Sequence, residues 1–329
     1  MAVKAIIGLD HLSQNDPNWA SYVGQGLGRG GNMSAANSSV VTNGWLCARN
    51  AVSGQDYAIL SLARYLVAPV QKIWFGCRVR LTAWVNQGSL VARWNSATNI
   101  LFDTELNAAG GKVGGVLFLE FSYNVATGIM ERRINGVPLT NMNLTSGQRD
   151  CTIELWHKAS TTNMLDYRDF NVVDDQGSAE GHPTGFLGPV VAYPATLAVS
   201  EAVDWTTFPA GGSVAQAIYQ PGSIPTDLVA LSPLARNPLK AAITSTVPEG
   251  VEIFGIELGL GGRSDSAGAT IISSKVAVGA NEIPGANVSL PPSAYNYDKT
   301  IGVLQRAPNG EKWTKTSITG AVLTLQPEA

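Results

Sequence analysis

The chain has 329 residues, of which 45% are apolar and only 14% charged, with a formal net charge of −3. That length exceeds what one compact domain usually holds, so two domains with real cores are expected. A weakly charged, slightly acidic chain presents no basic face to phosphates, which excludes nucleic acid as a partner, and no stretch is long and apolar enough for a membrane span.

The 35 glycines and 17 prolines favour many turns, and therefore many short strands. Near the start, the apolar run Ala5 to Ile7 is too brief for the core of a signal peptide, so synthesis in a cytoplasm without a secretory leader is expected. Gly26-x-Gly28-x-x-Gly31 has the spacing of a dinucleotide fingerprint. Asn32-Met33-Ser34 follows it in place of an amphipathic helix, so a glycine loop is expected there and no cofactor is assigned. Asp56 to Leu66 comes nearest to a helical apolar stripe, and helix content should be low.

Ile73, Phe75, Cys77, Val79 and Leu81 alternate with Arg78, Arg80 and Thr82, the pattern of a half-buried strand. Trp94-Asn95 ends a strand before a loop from Ser96 to Asn99. Of the tryptophans at 19, 45, 74, 84, 94, 156, 205 and 313, most are expected in the core. Trp94 with Asn95 is the pair read as a candidate glycan contact, because an aromatic face beside a polar group suits a sugar ring. Val116 to Ser122 reads as a strand, Ala126-Thr127-Gly128 as a turn, Met130 to Ile134 as the partner strand and Asn135-Gly136 as a hairpin turn.

Cys47, Cys77 and Cys151 are odd in number and far apart, which suits buried reduced thiols and neither a disulfide framework nor a zinc site. His11, His157 and His182 lack any H-E-x-x-H or G-x-S-x-G context, so no catalytic and no metal residue is assigned. Asp174-Asp175 lacks the ligand spacing of a calcium loop and reads as an acidic turn.

From Gly188 to Gly212 regular alternation fades through Pro189, Pro194, Trp205, Pro209 and Gly211. The expected division is a sandwich over 1–192, a linker over 193–212 and a C-terminal β-domain over 213–329. In the last, Val251 to Leu258, Ala269 to Val278 and Ile318 to Leu325 read as strands, with turns at Pro284 and Pro291-Pro292.

Several segments also resemble a known family. Gly8-Leu9-Asp10-His11, Phe118-Leu119-Glu120-Phe121, the Thr127-Gly128 and Asn135-Gly136 turns, Asp166-Tyr167-Arg168-Asp169-Phe170, Asp169 to Asp174 and Phe186-Leu187-Gly188-Pro189-Val190-Val191 together resemble the concanavalin-A-like sandwich domain of tailed-bacteriophage structural proteins. Asp265-Ser266-Ala267-Gly268 and Pro308-Asn309-Gly310-Glu311-Lys312-Trp313-Thr314 resemble a β-domain that often follows it. At Arg168-Asp169 that family often has two adjacent acids, which this chain lacks.

The resemblance implies an all-β protein: a concanavalin-A-like jelly-roll sandwich followed by a second, smaller β-domain. It also implies a non-enzymatic virion component, made in the host bacterial cytoplasm, acting as a decoration, baseplate or short tail-appendage protein. Its expected partners are other copies of itself, as a homotrimer, and other virion proteins. The alternative is a lectin-like tail protein that binds host surface glycan. Glycan cleavage would need two carboxylates about 5 Å apart, and Glu120 stands between Phe118 and Ser122 with no second acid on its face of the strand.

Overall fold

The computed structural model describes residues 2–7, 27–30, 40–42, 45–47, 57–81, 90–94, 97–102, 115–156, 165–176, 185–208, 210–218, 229–231, 237–262, 264, 270–292 and 296–328. The described residues up to Ala192 form one compact unit, and those from Tyr193 onward form a second.

Among the described residues, the elements of the first unit are all strands: β1 (Ala2–Ile7), β2 (Leu27–Gly30), β3 (Val40–Thr42), β4 (Trp45–Cys47), β5 (Tyr57–Ser61), β6 (Lys72–Leu81) and β7 (Leu90–Trp94). They are followed by β8 (Ala97–Phe102), β9 (Val116–Asn124), β10 (Ile129–Ile134), β11 (Val137–Pro138), β12 (Met142–Asn143), β13 (Cys151–Trp156) and β14 (Leu165–Asp174). Nine of them make one antiparallel sheet in the order β11-β10-β9-β6-β14-β4-β3, with β1 on β14 and β12 on β10. The other five make a second sheet, β2-β5-β13-β7-β8. The all-β class and the antiparallel two-sheet architecture expected from the sequence are what the chain adopts.

The alternation in β6 sets the core. Ile73, Phe75, Cys77 and Val79 are buried, and their register partners on β9 are Tyr123, Phe121, Leu119 and Leu117, all buried on the same face. Phe75 stacks on Phe121 with ring centroids 5.0 Å apart and meets Phe170 of β14 at 6.4 Å. Leu60, Phe102, Cys151 and Ile153 of the smaller sheet are equally buried, and the Arg132 guanidinium of β10 lies 5.9 Å over the Phe102 ring, joining the two layers. Cys77 and Cys151 are free buried thiols, and burial pushes both well above the ordinary thiol range.

Both expected turns form. Asn135 and Gly136 have φ of 51° and 79°, and Ile134 faces Val137, which is the two-residue hairpin that an Asn-Gly pair favours. Gly128, at φ 71°, links β9 to β10. The glycine loop expected around Gly28 is instead part of β2, paired with β5 at Ile59, so the glycines there serve strand pairing. Tyr57–Ser61 is a strand rather than a helical turn, because its backbone is committed on both edges, to β2 and to β13.

The second unit holds β15 (Ala195–Ala202), β16 (Thr206–Phe208), α1 (Val214–Ile218), β17 (Val229–Leu231), β18 (Leu239–Ser245), β19 (Ile256–Gly262) and β20 (Thr270–Val278). It continues with β21 (Asn281–Pro284), β22 (Val288–Leu290), β23 (Asn296–Leu304), α2 (Lys315–Thr319) and β24 (Ala321–Pro327). Its main sheet runs β15-β18-β24-β20-β21 with β22 on β20, and β16-β17 and β19-β23 form two ribbons.

The stretch 193–212, expected as a linker, therefore carries β15 and β16. A register shift between Val199 and Glu201, together with the small residues at Ala195, Ala198 and Ser200, blurs the alternation that would have marked a strand. Likewise 251–255 is not strand, and the expected strand from Ile318 begins only at Ala321. Before it, Thr314 caps α2 by accepting from the Ser317 amide at 3.0 Å, while the Ser317 hydroxyl takes the Thr314 amide at 2.9 Å.

The two turn glycines differ in a way that is measurable. A Cβ at Gly128 would stand 2.2 Å from the Leu144 carbonyl oxygen, whereas one at Gly136 meets nothing within 4 Å. Gly136→Ala should cost only the left-handed backbone penalty of about 1–2 kcal/mol. Gly128→Ala adds the displacement of backbone and should cost about 3 kcal/mol or more. Urea unfolding of the two variants tests this ordering.

Candidate functional site

The outer face of the nine-stranded sheet carries most of the described ionic chemistry, and strand register explains why. Residues of β6 that alternate with the core set, namely Trp74, Gly76, Arg78 and Arg80, face outward. Their partners on β9 are Ser122, Glu120, Phe118 and Val116. On β14 they are Val173, Asn171, Arg168 and Asp166. An outer face is normally wet, yet Trp74, Phe118, Glu120, Ser122, Asn171 and Val173 are all buried.

Part of that cover is the segment 185–192, which crosses this face as a strap. It is held mainly through its main chain. The Gly188 amide donates to Glu120 Oε1 at 3.0 Å, the Val190 carbonyl accepts from Arg78 Nε at 3.0 Å, and the Ala192 amide donates to Asp169 Oδ1 at 3.1 Å. Arg133, the cross-strand neighbour of Glu120, stacks its guanidinium 4.0 Å over the Phe186 ring. Within the strap, the Val190 side chain is buried.

Asp169 sits at a bulge. Arg168 pairs with Arg78 and Asn171 with Gly76, so Asp169 and Phe170 both oppose Cys77. Asp169 adopts φ 54°, a left-handed conformation that Asp tolerates better than most residues. Its carboxylate takes the Arg168 Nε at 3.0 Å and lies 3.5 Å from Arg78 Nε. Two arginines placed directly across from each other repel, and the carboxylate between them removes that cost. Burial still outweighs both guanidiniums and raises the Asp169 carboxyl above its ordinary range. Glu120 is raised for the same reason, with the Gly188 amide and then Arg133 opposing.

Beside this cluster, Arg80 pairs with Asp166 through its Nε at 3.0 Å, and Arg80 and Arg168 lie 4.6 and 5.3 Å from the Trp45 ring. Lys72 lies over Trp74 and bonds Glu131 at 3.1 Å. The Ser122 hydroxyl, then Lys72, hold Glu131 below the ordinary carboxylate range.

The acidic pair Asp174-Asp175 is engaged with amides and a lysine. Asp175 accepts from the Gln71 main-chain amide at 3.0 and 3.2 Å and from the Lys72 main-chain amide at 3.0 Å. Asp174 accepts from Gln176 at 3.0 Å and lies 3.2 Å from Lys4 Nζ. Among the described residues no three His, Cys, Asp or Glu side chains group to hold a metal ion.

Trp94 ends β7, opposite Cys151 on one edge and Ala97 on the other. Asn95 lies outside the described residues, as do His11, His157, His182 and Asp265 to Gly268. The loop expected to run to Asn99 is shorter, because β8 resumes at Ala97. Trp45, Trp74 and Trp313 are buried, and their faces are not free for stacking on a sugar. Sequence reading missed the strap and the bulge. One signal was present: Val116 to Tyr123 is apolar on nearly every residue, as suits a strand covered on both faces.

No family model matches the chain, and no curated protein matches it. Among solved structures, the binding domain of botulinum neurotoxin DC in complex with rat synaptotagmin II is similar over 97% of this chain and 97% of that one, at 10% identity and a TM-score of 0.33. The N-terminal CBM22-1-CBM22-2 tandem domain of Paenibacillus barcinonensis Xyn10C is similar over 100% and 98%, at 13% identity and a TM-score of 0.27. A Bacillus subtilis protein of unknown function with a galectin-like fold is similar over 52% and 96%, at 14% identity and a TM-score of 0.25. At such scores none of them bears on what this chain binds.

Removing the charge at Asp169 should leave Arg78 and Arg168 facing each other with no anion between them. Asp169→Ala, which also removes the acceptor of the Ala192 amide and a side chain that tolerates φ 54°, is expected to destabilise the first unit by about 2–3 kcal/mol. The same substitution in an Arg78→Met background should cost markedly less, and a double-mutant cycle by denaturant unfolding measures the difference.

Proposed function

We propose that the chain is a non-catalytic structural subunit of a tailed-phage particle, a decoration, baseplate or short tail-appendage protein that packs as a homotrimer against other virion proteins. The observation that carries this reading is the use to which the resembling motifs are put. Thr127-Gly128 and Asn135-Gly136 make the two turns of the β9-β10-β11 meander, Asp166 to Asp174 is the bulged central strand, and Phe186 to Val191 is the strap. Pro308 to Thr314 folds into a turn, a buried tryptophan and a helix cap. All of these are framework roles.

Acids of the first unit support the same reading. Glu120, Asp166, Asp169, Asp174 and Asp175 each hold an amide, a lysine or an arginine of their own unit, which is work of folding rather than of acid-base chemistry. Exposed apolar side chains at Val67, Val116, Val137, Phe208 and Val251 offer material for contacts between subunits, and a stable interface needs roughly 800 Å² from each partner.

Native mass spectrometry of the full chain should give a trimer, and cryo-EM of the intact particle should contain matching density in symmetric copies. A monomer at high concentration, together with absence from purified particles, would overturn the assignment.

A second reading, contact with host surface glycan through Trp94 and Asn95, rests on the place of Trp94 at the end of β7, where two residues connect to β8. Binding of the assembled protein on a glycan array, lost in Trp94→Ala with the oligomer intact, is the expected result. An array with no signal from the wild-type protein sinks it.

A further inference from the structure

The strap is gripped at alternate positions, 188, 190 and 192, by side chains from three strands, and the two amides among these groups both rest on carboxylates that are almost fully buried. Such fastening reads the main chain rather than the side chains of the strap. Its strength depends on the charge carried by the fastening groups. We propose that 185–192 is a latch over the outer sheet face whose hold is set by the ionisation of Glu120, and that it closes more tightly as Glu120 takes up a proton.

The charged groups that face the strap are Glu120 from β9, Arg78 from β6, Arg133 from β10, and Arg168 and Asp169 from β14. Arg78 and Arg168 both lie against Asp169. Glu120 has no such pair. Its register neighbours are Gly76, which brings no charge, and Arg133, whose guanidinium is spread over Phe186.

The direction follows from linkage. With the strap down, Glu120 is out of water and its carboxyl is raised by burial. With the strap lifted, it is solvated and returns to an ordinary carboxylate. The closed form therefore binds the proton more tightly than the open form, and lowering the pH from neutrality toward the acid range favours closure. The neutral carboxyl keeps a carbonyl oxygen for the Gly188 amide, so the hydrogen bond survives protonation. This is opposite to an acid-labile clamp, in which the folded carboxylate is depressed and acid opens it.

Hydrogen exchange of the full-length protein, read at the Gly188 amide and corrected for the intrinsic pH dependence of exchange, tests the latch. Amides in the β6-β9 ladder serve as the internal reference. In the wild-type chain, protection at Gly188 relative to the ladder should rise as the pH is lowered from 7.5 to 5. The rise can reach about tenfold for each unit by which closed and open forms differ in carboxyl pKa. In Glu120→Gln, a neutral acceptor of the same shape, protection should start at the protected end, and the rise should shrink to the part contributed by Asp169, which burial also raises.

A wild-type profile that is flat or falls on acidification overturns the proposal, and so does a rise that persists unchanged in Glu120→Gln. Should the variant fail to fold, the rise must persist in Asp169→Asn, where Glu120 still titrates beneath the strap.

Discussion

The first unit depends on one extra residue in β14. This strand is the hub of the larger sheet, paired along one edge with β6 and along the other with β4 and β1. Side chains of a regular strand alternate, so Tyr167 and Phe170, three apart, would face opposite sides. Both are wholly buried. The bulge at Asp169 resolves the conflict by placing two residues opposite Cys77, which turns the second half of β14 back onto the core. The inserted residue must take a left-handed backbone, and its side chain must go outward. A short carboxylate satisfies the first demand, and the two arginines waiting on the outer face satisfy the second.

That same carboxylate connects the bulge to the strap. A segment lying across a sheet face has no strand partner for its amides and carbonyls, and buried main-chain groups without partners are costly. Asp169, Arg78 and Glu120 supply those partners from the sheet. Burying carboxylates is itself unfavourable, which is why both acids stand above their ordinary range. The sheet accepts that cost and gains a cover for Phe118. A tight row on the outer face follows: a Cβ at Gly76 would come within 2.8 Å of both Asn171 Nδ2 and the Phe118 ring, so the central strand can carry no side chain there.

Most of the framework was legible in the sequence where local rules decide it. The alternation from Ile73 to Val79, the meander through Gly128 and Asn135-Gly136, and the strand Ala269 to Val278 each follow from periodicity or turn chemistry within a few residues. What was not legible depends on distant residues. The linker expected over 193–212 is an edge strand because β18 supplies its hydrogen bonds. The loop around Gly28 is a strand because β5 does. Of the candidate site, Glu120 was visible as a lone acid on an apolar strand, but its partner lies 68 positions away at Gly188, and no local pattern announces such a contact. Asp169 was noticed only as a departure from an expected acid pair. Its neighbour Arg168 belongs there because the acid at the bulge has two arginines to separate.

The late motif of the second unit makes the same point in miniature. Gly310 takes φ 85°, in a turn closed by the Ala307 amide on the Glu311 carbonyl at 2.9 Å. Trp313 then enters the core among Leu239, Val276 and Leu323 and gives its indole N–H to the Leu304 carbonyl at 2.7 Å, which satisfies the one polar group that a buried tryptophan carries. Thr314 starts α2 as a reciprocal cap. Glycine, tryptophan and threonine are thus each demanded by backbone conformation, burial or capping, and none is left over for a ligand. A motif whose distinctive positions are taken up by folding identifies a framework and leaves the choice of partner to other residues. Resemblance through such motifs therefore bears on how the chain is built, while recognition of any other molecule has to be read from the connecting segments and the exposed faces.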